Sequence, residues 1–214
     1  MMKTVTIIDY GMSNLRSVSK ALEHVATNNW HVNVSDKADV ILHADKVVFP
    51  GQGAIGNCMT LLNQIGVTEV VKQALETKPF LGICLGLQTL LTMSEESGGT
   101  QGFDWAAGTV RRFPEPFHDP HSGEHLKIPH MGWNQVQYTQ SHPLWAGIPE
   151  LSRFYFVHSY YVDPTEKNVV AGSTSYGAIN FTSAMARDNV FAVQFHPEKS
   201  QHAGLTLLKN FLDW

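Results

Sequence analysis

A cysteine between two glycines, Gly82-Ile83-Cys84-Leu85-Gly86, is the stretch best suited to nucleophilic chemistry. It closes the short apolar run that begins at Pro79-Phe80-Leu81, and a helix-like pattern through Gln88 to Leu91 follows it. This is the layout of a nucleophile elbow, in which a strand stops, the chain turns sharply and the reactive side chain is held at the turn. The elbow is usually built on serine, so the likeness is one of geometry. Glycine at either flank keeps side chains out of a crowded turn. A helix starting just past Cys84 would aim free N–H groups at the sulfur and favour its thiolate. Taken alone, the motif also fits a core cysteine, because free cysteine is among the most buried residue types.

A base stands later in the chain. Phe191-Ala192-Val193-Gln194-Phe195 reads as an apolar strand, and His196-Pro197-Glu198 ends it. Proline stops regular pairing, which puts His196 and Glu198 at a strand end, where sites of open α/β sheets collect. Histidine can take a thiol proton and return it to a leaving amine, and a carboxylate can fix the imidazole tautomer and stabilise its cation. His196 alone reads as a hydrogen-bonded strand-end histidine; with Glu198 and Cys84 it completes a triad. Acyl transfer also needs donors for the developing oxyanion. Pro50-Gly51-Gln52-Gly53 follows another strand, and its glycines let backbone N–H groups turn toward a ligand. Leu85 N–H, directly after the nucleophile, is the natural second donor. The plain alternative for Gly51 to Gly53 is an ordinary strand-to-helix turn.

These residues need a scaffold that brings strand ends together. Thr4 to Ile8, His31 to Val34, Lys46 to Phe49 and Phe80 to Ile83 read as strands. Between them, Leu15, Val18, Leu22 and Val25 fall at helical spacing, with Ser13 or Asn14 as cap. Asp36 to Leu42 is mixed, with room for a single helical turn, and further helical stretches run from Ala54 through Leu62 and from Val67 to Leu75. Such alternation predicts a parallel sheet covered by helices on both faces. After Ser97 strands dominate: Gly108 to Phe113, Trp133 to Tyr138, Arg153 to His158, Val169 to Thr174, Ala178 to Ala186 and Val190 to Phe195. The last segment, Ser200 to Trp214, is an amphipathic helix with Ser200 as cap and Ala203, Leu207, Leu208, Phe211 and Leu212 on one face. The fold class is α/β: an open, mostly parallel twisted sheet with helices on both faces and antiparallel strands in the C-terminal half. No repeat or linker divides the chain, so residues 1–214 read as a single domain.

Bulk properties narrow the class. The chain has 214 residues and a net charge of −4, so no broad basic face for nucleic acid is expected. Its apolar share of 43% and charged share of 16% are those of a soluble globular protein. No apolar run reaches the ~18 residues of a membrane span. The amino terminus reads as a strand and not a signal peptide. Two cysteines, Cys58 and Cys84, are too few for a disulfide scaffold, which suits a reduced cytoplasmic protein. Cys58 reads as a buried structural residue.

The segments Gly82 to Gln88, Pro50 to Gly53 and Gln194 to Glu198 together resemble the class I (triad) glutamine amidotransferases. In that family the cysteine attacks the side-chain amide of glutamine, ammonia leaves, and water hydrolyses the glutamyl thioester. The resemblance implies Cys84, His196 and Glu198 as the catalytic triad and Gly51, Gln52 and Leu85 as the oxyanion site. Ile7 to Val18, Pro129-His130-Met131-Gly132-Trp133-Asn134 and Tyr155-Phe156-Val157-His158-Ser159-Tyr160 are similar to the glutaminase subunits of imidazole glycerol phosphate synthase. This implies a partner (β/α)8-barrel cyclase subunit that receives the ammonia during histidine biosynthesis, with no cofactor and no metal. It also implies Gly53, Gln88, Glu96, Ser159 and Tyr160 as glutamine contacts. Glu96 suits an ammonium and backbone N–H groups near Ser159 suit a carboxylate; Glu95-Glu96 otherwise reads as a solvated helix end.

Two departures from the pattern stand out. Ser13 replaces a usual glycine, and His118 to His125 is longer and richer in histidine than expected. His-x-x-His-x-x-x-His could bind a metal, but an exposed loop is the better reading. Other branches of the family (anthranilate, pyridoxal phosphate) and γ-glutamyl hydrolases are alternatives. Leu87, where several branches carry histidine, and the lack of a Gly-Gly-Glu-Ser-Thr run speak against them. A non-catalytic binding subunit is a third reading, and the complete set of triad residue types speaks against it.

Overall fold

The computed structural model describes residues 2–11 and 15–214. Its strands are β1 (Lys3–Ile8), β2 (Trp30–Ser35), β3 (Lys46–Gly51), β4 (Phe80–Cys84), β5 (Leu91–Ser94), β6 (Thr100–Gln101) and β7 (Ala106–Arg112). They continue with β8 (His130–Gln135), β9 (Gln137–Tyr138), β10 (Arg153–His158), β11 (Tyr160–Pro164), β12 (Val170–Tyr176), β13 (Ile179–Arg187) and β14 (Val190–Val193). The helices are α1 (Leu15–Val25), α2 (Ala38–His43), α3 (Ile55–Gln64), α4 (Thr68–Thr77), α5 (Leu85–Gln88) and α6 (Gln201–Asp213).

The main sheet runs β2-β1-β3-β4-β14-β13-β11-β7-β5-β6, with β12 and β9 attached beside β13. From β2 to β14 every neighbour is parallel. From β14 through β13 and β11 to β7 the pairing is antiparallel. A separate antiparallel pair joins β8 to β10. The strand residues alternate between two cores, as a period of two requires. Val5, Ile7, Val48, Leu81 and Ile83 pack with Val18 and Leu22 of α1 and Leu207, Leu208 and Phe211 of α6. Ile8, Val47, Phe49 and Phe80 pack on the other face with Cys58 and Leu62 of α3 and Val71 and Leu75 of α4. Both faces of the parallel region are therefore covered, and the strand ends are left for a site.

Several sequence expectations are corrected. The pattern past Cys84 is not a sustained helix: α5 has 4 residues, and the chain then enters β5. The carbonyls of Thr89 and Leu90, which a longer helix would use internally, accept from Phe103 N–H at 2.7 Å and Trp105 N–H at 2.9 Å. A short apolar run cannot distinguish strand from helix by periodicity, and here tertiary hydrogen bonds decide. β11 has no counterpart among the expected strands: past His158 the chain leaves the β8–β10 pair and joins the main sheet one residue later, between β13 and β7. Ser200 precedes α6, but its hydroxyl does not cap the helix. Instead it donates to His196 C=O at 2.6 Å and accepts from Tyr155 N–H at 3.0 Å, tying the His196 segment to β10. The cap expected at Ser13 or Asn14, and the Ser13 departure, lie outside the described residues.

Candidate active site

Cys84 ends β4 with φ 55° and ψ −105°, a conformation a non-glycine residue rarely adopts. This is the strained turn of an elbow, held by close packing on both sides. A β carbon on Gly86 would lie 2.0 Å from the Phe49 carbonyl oxygen, and one on Gly82 would lie 2.9 Å from Gly86 O. The flanking glycines are thus required by close approach of backbone to backbone. α5 is a single turn, so the dipole support expected for the sulfur is small. The side-chain amide nitrogen of Gln194 lies 3.7 Å from the sulfur.

β14 delivers the base beside the elbow. β14 and β4 pair in parallel, with Val193 opposite Ile83, so the residues after each strand emerge at the same edge. His196 is anchored by its own N–H to Tyr155 C=O at 2.9 Å. Its Nδ1 meets Glu198 Oε1 at 2.8 Å, and the two side chains are 7% and 3% exposed. A carboxylate can only accept, so Nδ1 carries the proton and Nε2 is the free nitrogen. Nε2 is buried without a hydrogen-bond partner of its own. Burial pulls the His196 pKa down, but the neighbouring Cys84 sulfur and the Glu198 carboxylate outweigh it and raise the value to about 10. The arrangement favours an imidazolium beside the sulfur. Such contacts are often incompletely aligned until a substrate is bound.

A cavity of about 480 Å³ opens over Cys84. It is lined by Gln52, Gly53, Cys84, Leu85, Gln88, Glu96, Ser159, Tyr160 and His196, nine of the residues singled out in the sequence. Gly51 and Glu198 lie behind it, on a narrow recess with Val18, Pro50 and Ile83. Gly51 stands opposite Cys84 in the β3–β4 ladder. A β carbon there would be 2.5 Å from the Tyr10 hydroxyl and 2.7 Å from Leu85 Cβ. Glu96 is not the end of a solvated helix: its Oε2 accepts from Ile55 N–H at 2.8 Å, at the start of α3. Glu95 faces away, toward Arg111 at 3.6 Å and the Arg112 N–H at 3.0 Å. Gln88 uses its Nε2 on the Tyr160 carbonyl at 3.0 Å and on Gln194 Oε1 at 3.1 Å, so only its Oε1 remains for a ligand.

Four residues at or next to this site carry no role in the sequence reading. Lys199 and His158 line the cavity. His130 stands opposite His158 in the β8–β10 register, and Gln194 lies beneath Cys84. Gln194 was detectable as the one polar residue in an apolar run, since a buried amide must be hydrogen-bonded. His158 Nδ1 donates to Tyr160 C=O at 2.8 Å, which leaves its Nε2 to accept from His130 Nδ1 at 2.9 Å. His130 Nε2 in turn accepts from Asn134 Nδ2 at 3.2 Å. Both rings are thereby held neutral in a fixed tautomer. His118 and His125 meet edge-on, with ring centroids 5.4 Å apart, across a short bridge in the exposed loop. Among the described residues no group of three or more histidine, cysteine, aspartate or glutamate residues converges as a metal site.

The neutral pair makes a pH prediction. Burial lowers His130 to about 4; burial and the neighbouring His130 lower His158 to about 3. His142, also buried, is lowered to about 4. Below about 6.5 the unfolded chain binds protons that the folded chain refuses, so this stability is complete above pH 6.5 and is lost as pH falls toward 4. His196 acts in the opposite window, because its raised pKa favours the fold below 6.5 and that support fades as pH rises through about 10. The urea midpoint is expected to fall between pH 7 and pH 5, the unfolding free energy dropping by roughly 2 kcal/mol at most for each buried histidine. Equal midpoints at the two pH values would contradict the neutral pair.

A strained cysteine at a strand end, with a histidine–carboxylate pair beside it in an open parallel sheet, brings together the groups that acyl transfer through a thiol requires. The family model described as glutamine amidotransferase class-I matches residues 6–214, and the chain belongs to that family. Within it, similar curated relatives are described as imidazole glycerol phosphate synthase subunit HisH. That of Methylococcus capsulatus is 56% identical, covering 100% of this chain and 97% of the relative. That of Hydrogenovibrio crunogenus is 53% identical, covering 99% and 97%, and one from Pseudomonas aeruginosa, HisH 1, is 51% identical, covering 100% and 98%. Among solved structures, PurLQS from Thermotoga maritima aligns with a TM-score of 0.71 at 16% identity, covering 100% of this chain and 99% of that one. A glutamine amidotransferase from the same organism aligns with a TM-score of 0.68 at 14% identity, covering 100% and 97%. These structures share the fold. Among the described residues no helix is long and apolar enough to cross a membrane.

Proposed function

We propose that this chain is the glutaminase subunit of an imidazole glycerol phosphate synthase, hydrolysing glutamine and passing the ammonia to a (β/α)8-barrel cyclase subunit. The observation that carries the chemistry is Cys84 at φ 55° in a cavity shared with His196, whose Nδ1 is fixed by Glu198 at 2.8 Å. Cys84 Sγ attacks the side-chain amide carbon of glutamine. His196 Nε2 takes the thiol proton and returns it to the departing ammonia. Backbone N–H groups of Leu85 and of the Gly51-Gln52 segment hold the oxyanion. Water, activated by His196, then cleaves the glutamyl thioester and releases glutamate. Glu96 and Gln88 Oε1 accept from the substrate ammonium, and the backbone around Gly53, Ser159 and Tyr160 holds its carboxylate end. No step in this sequence calls for a metal or cofactor. The chain works in the cytoplasm, where its thiols stay reduced.

The relatives' description as synthase subunits supports the partnership. The test is the glutaminase rate of the chain alone, with a cyclase subunit, and with that subunit and its ribonucleotide substrate. Slow hydrolysis alone and a rise of at least about 100-fold in the loaded complex, equivalent to ~2.7 kcal/mol of barrier, is the expected result. A rate indifferent to the partner would exclude this branch of the family.

A further inference from the structure

We propose that Gln194 is a further catalytic residue, whose side-chain amide holds the Cys84 sulfur when it is negatively charged. Gln194 follows β14 and is fully buried, at 0% exposure. Its Nε2 lies 3.7 Å from Cys84 Sγ, within the reach of an N–H···S bond. The orientation of this amide follows from its neighbours. The Tyr160 carbonyl can only accept, so the Gln88 atom 3.0 Å from it is nitrogen. That same nitrogen meets Gln194 at 3.1 Å, so the Gln194 atom there is oxygen. The remaining atom, facing the sulfur, is therefore the NH₂ group. His158 donates to the same Tyr160 carbonyl at 2.8 Å and fixes its direction. The donor to sulfur is thus set by a chain that ends on backbone.

Cys84 and His196 are each only 6% exposed, so little water is available to solvate a thiolate. Once His196 holds the proton, the sulfur needs donors in a site where hydrogen bonds to charge are strong. Gln194 supplies one from below, without entering the cavity that glutamine would fill. The contact acts twice, on attack and again when thiolate is expelled from the thioester. The charged and titratable groups around the sulfur are His196 and Glu198 after β14, Tyr10 after β1, and Glu96, His158 and Lys199 in the cavity. Gln194 is neutral, so replacing it by a neutral residue changes none of these charges.

The roles in hydrolysis rest on the proposed glutaminase reading, so the test begins without glutamine. The full chain is alkylated with iodoacetamide across pH, Cys84 is followed by peptide mass spectrometry, and Cys58 serves as internal control. Gln194→Met keeps the volume and removes the donor; Gln194→Glu keeps the shape and turns an acceptor toward sulfur. The Cys84 profile is expected to move up by about one pH unit in the first and further in the second. With glutamine, kcat falls about 10-fold or more while KM changes little. Unmoved profiles, or a loss carried wholly by KM, would overturn the proposal. Should the variants not fold, the ¹⁵N side-chain amide resonance of Gln194 in the natural chain gives the same answer. It should titrate with pH and become flat in Cys84→Ala; a flat resonance in both also overturns it. A natural chain that alkylates as expected but hydrolyses no glutamine would refute the functional reading and leave the contact standing.

Discussion

Replacing Cys84 with alanine is expected to remove glutamine hydrolysis, lowering kcat at least ~10⁴-fold, because loss of the nucleophile leaves only binding and the oxyanion donors. The same variant, assembled with its cyclase subunit, should still use added ammonia, since the cyclase reaction requires ammonia and not the thiol. The fold should survive the change. Cys84 is 6% exposed and its side chain is small, so the loss of packing is slight. The strained backbone at φ 55° is imposed by Gly82, Gly86 and Phe49 around it, and those contacts involve no sulfur. Assays of glutamate release and of ammonia-dependent turnover on one preparation separate the two activities. Normal glutamine use by the variant would show that the nucleophile lies elsewhere.

The second large effect belongs to Glu198→Gln. Glu198 Oε1 holds His196 Nδ1 at 2.8 Å, and its side chain is 3% exposed. The carboxylate has two tasks: it keeps the proton on Nδ1, leaving Nε2 free, and it neutralises the imidazolium. An amide of the same shape performs the first incompletely and the second not at all. A loss of about 10⁴-fold in kcat is expected, the order seen when a triad carboxylate becomes an amide. KM should change little, because Glu198 lies behind the cavity. The alkaline limb of the pH–rate profile, where the imidazolium loses its proton, should move to lower pH, since Glu198 is one of the groups raising the His196 pKa. A loss below 10-fold with an unmoved profile would reduce Glu198 to a structural contact.

The elbow and the His-Pro-Glu end were legible because their chemistry is local. Glycine two residues either side of a cysteine and proline between two polar groups each describe a turn within one segment. The helix–strand alternation gave the parallel half of the sheet for the same reason. What escaped was decided at long range. The carbonyls of Thr89 and Leu90 leave the helix because Phe103 and Trp105 claim them. β11 belongs to the main sheet because Arg112, Arg111 and Val110 stand opposite Tyr160, Tyr161 and Val162. Gln88 appeared as a substrate contact, and its nitrogen turned out to be committed to Tyr160 and Gln194. The His130–His158 pair joins residues on two strands, and spacing along the chain carries no trace of it.

The central claim is that Cys84, and no other group, accepts the glutamyl carbon. It is tested most directly by treating the full chain with an electrophilic glutamine analogue and mapping the adduct by peptide mass spectrometry. One adduct on Cys84, slowed by excess glutamine and absent from Cys84→Ala, is the predicted result. Cys58, buried at 0% exposure beside Tyr10 with its thiol raised to about 12, should stay unmodified. An adduct on any other residue, or none on Cys84 while glutamine is being hydrolysed, would contradict the assignment.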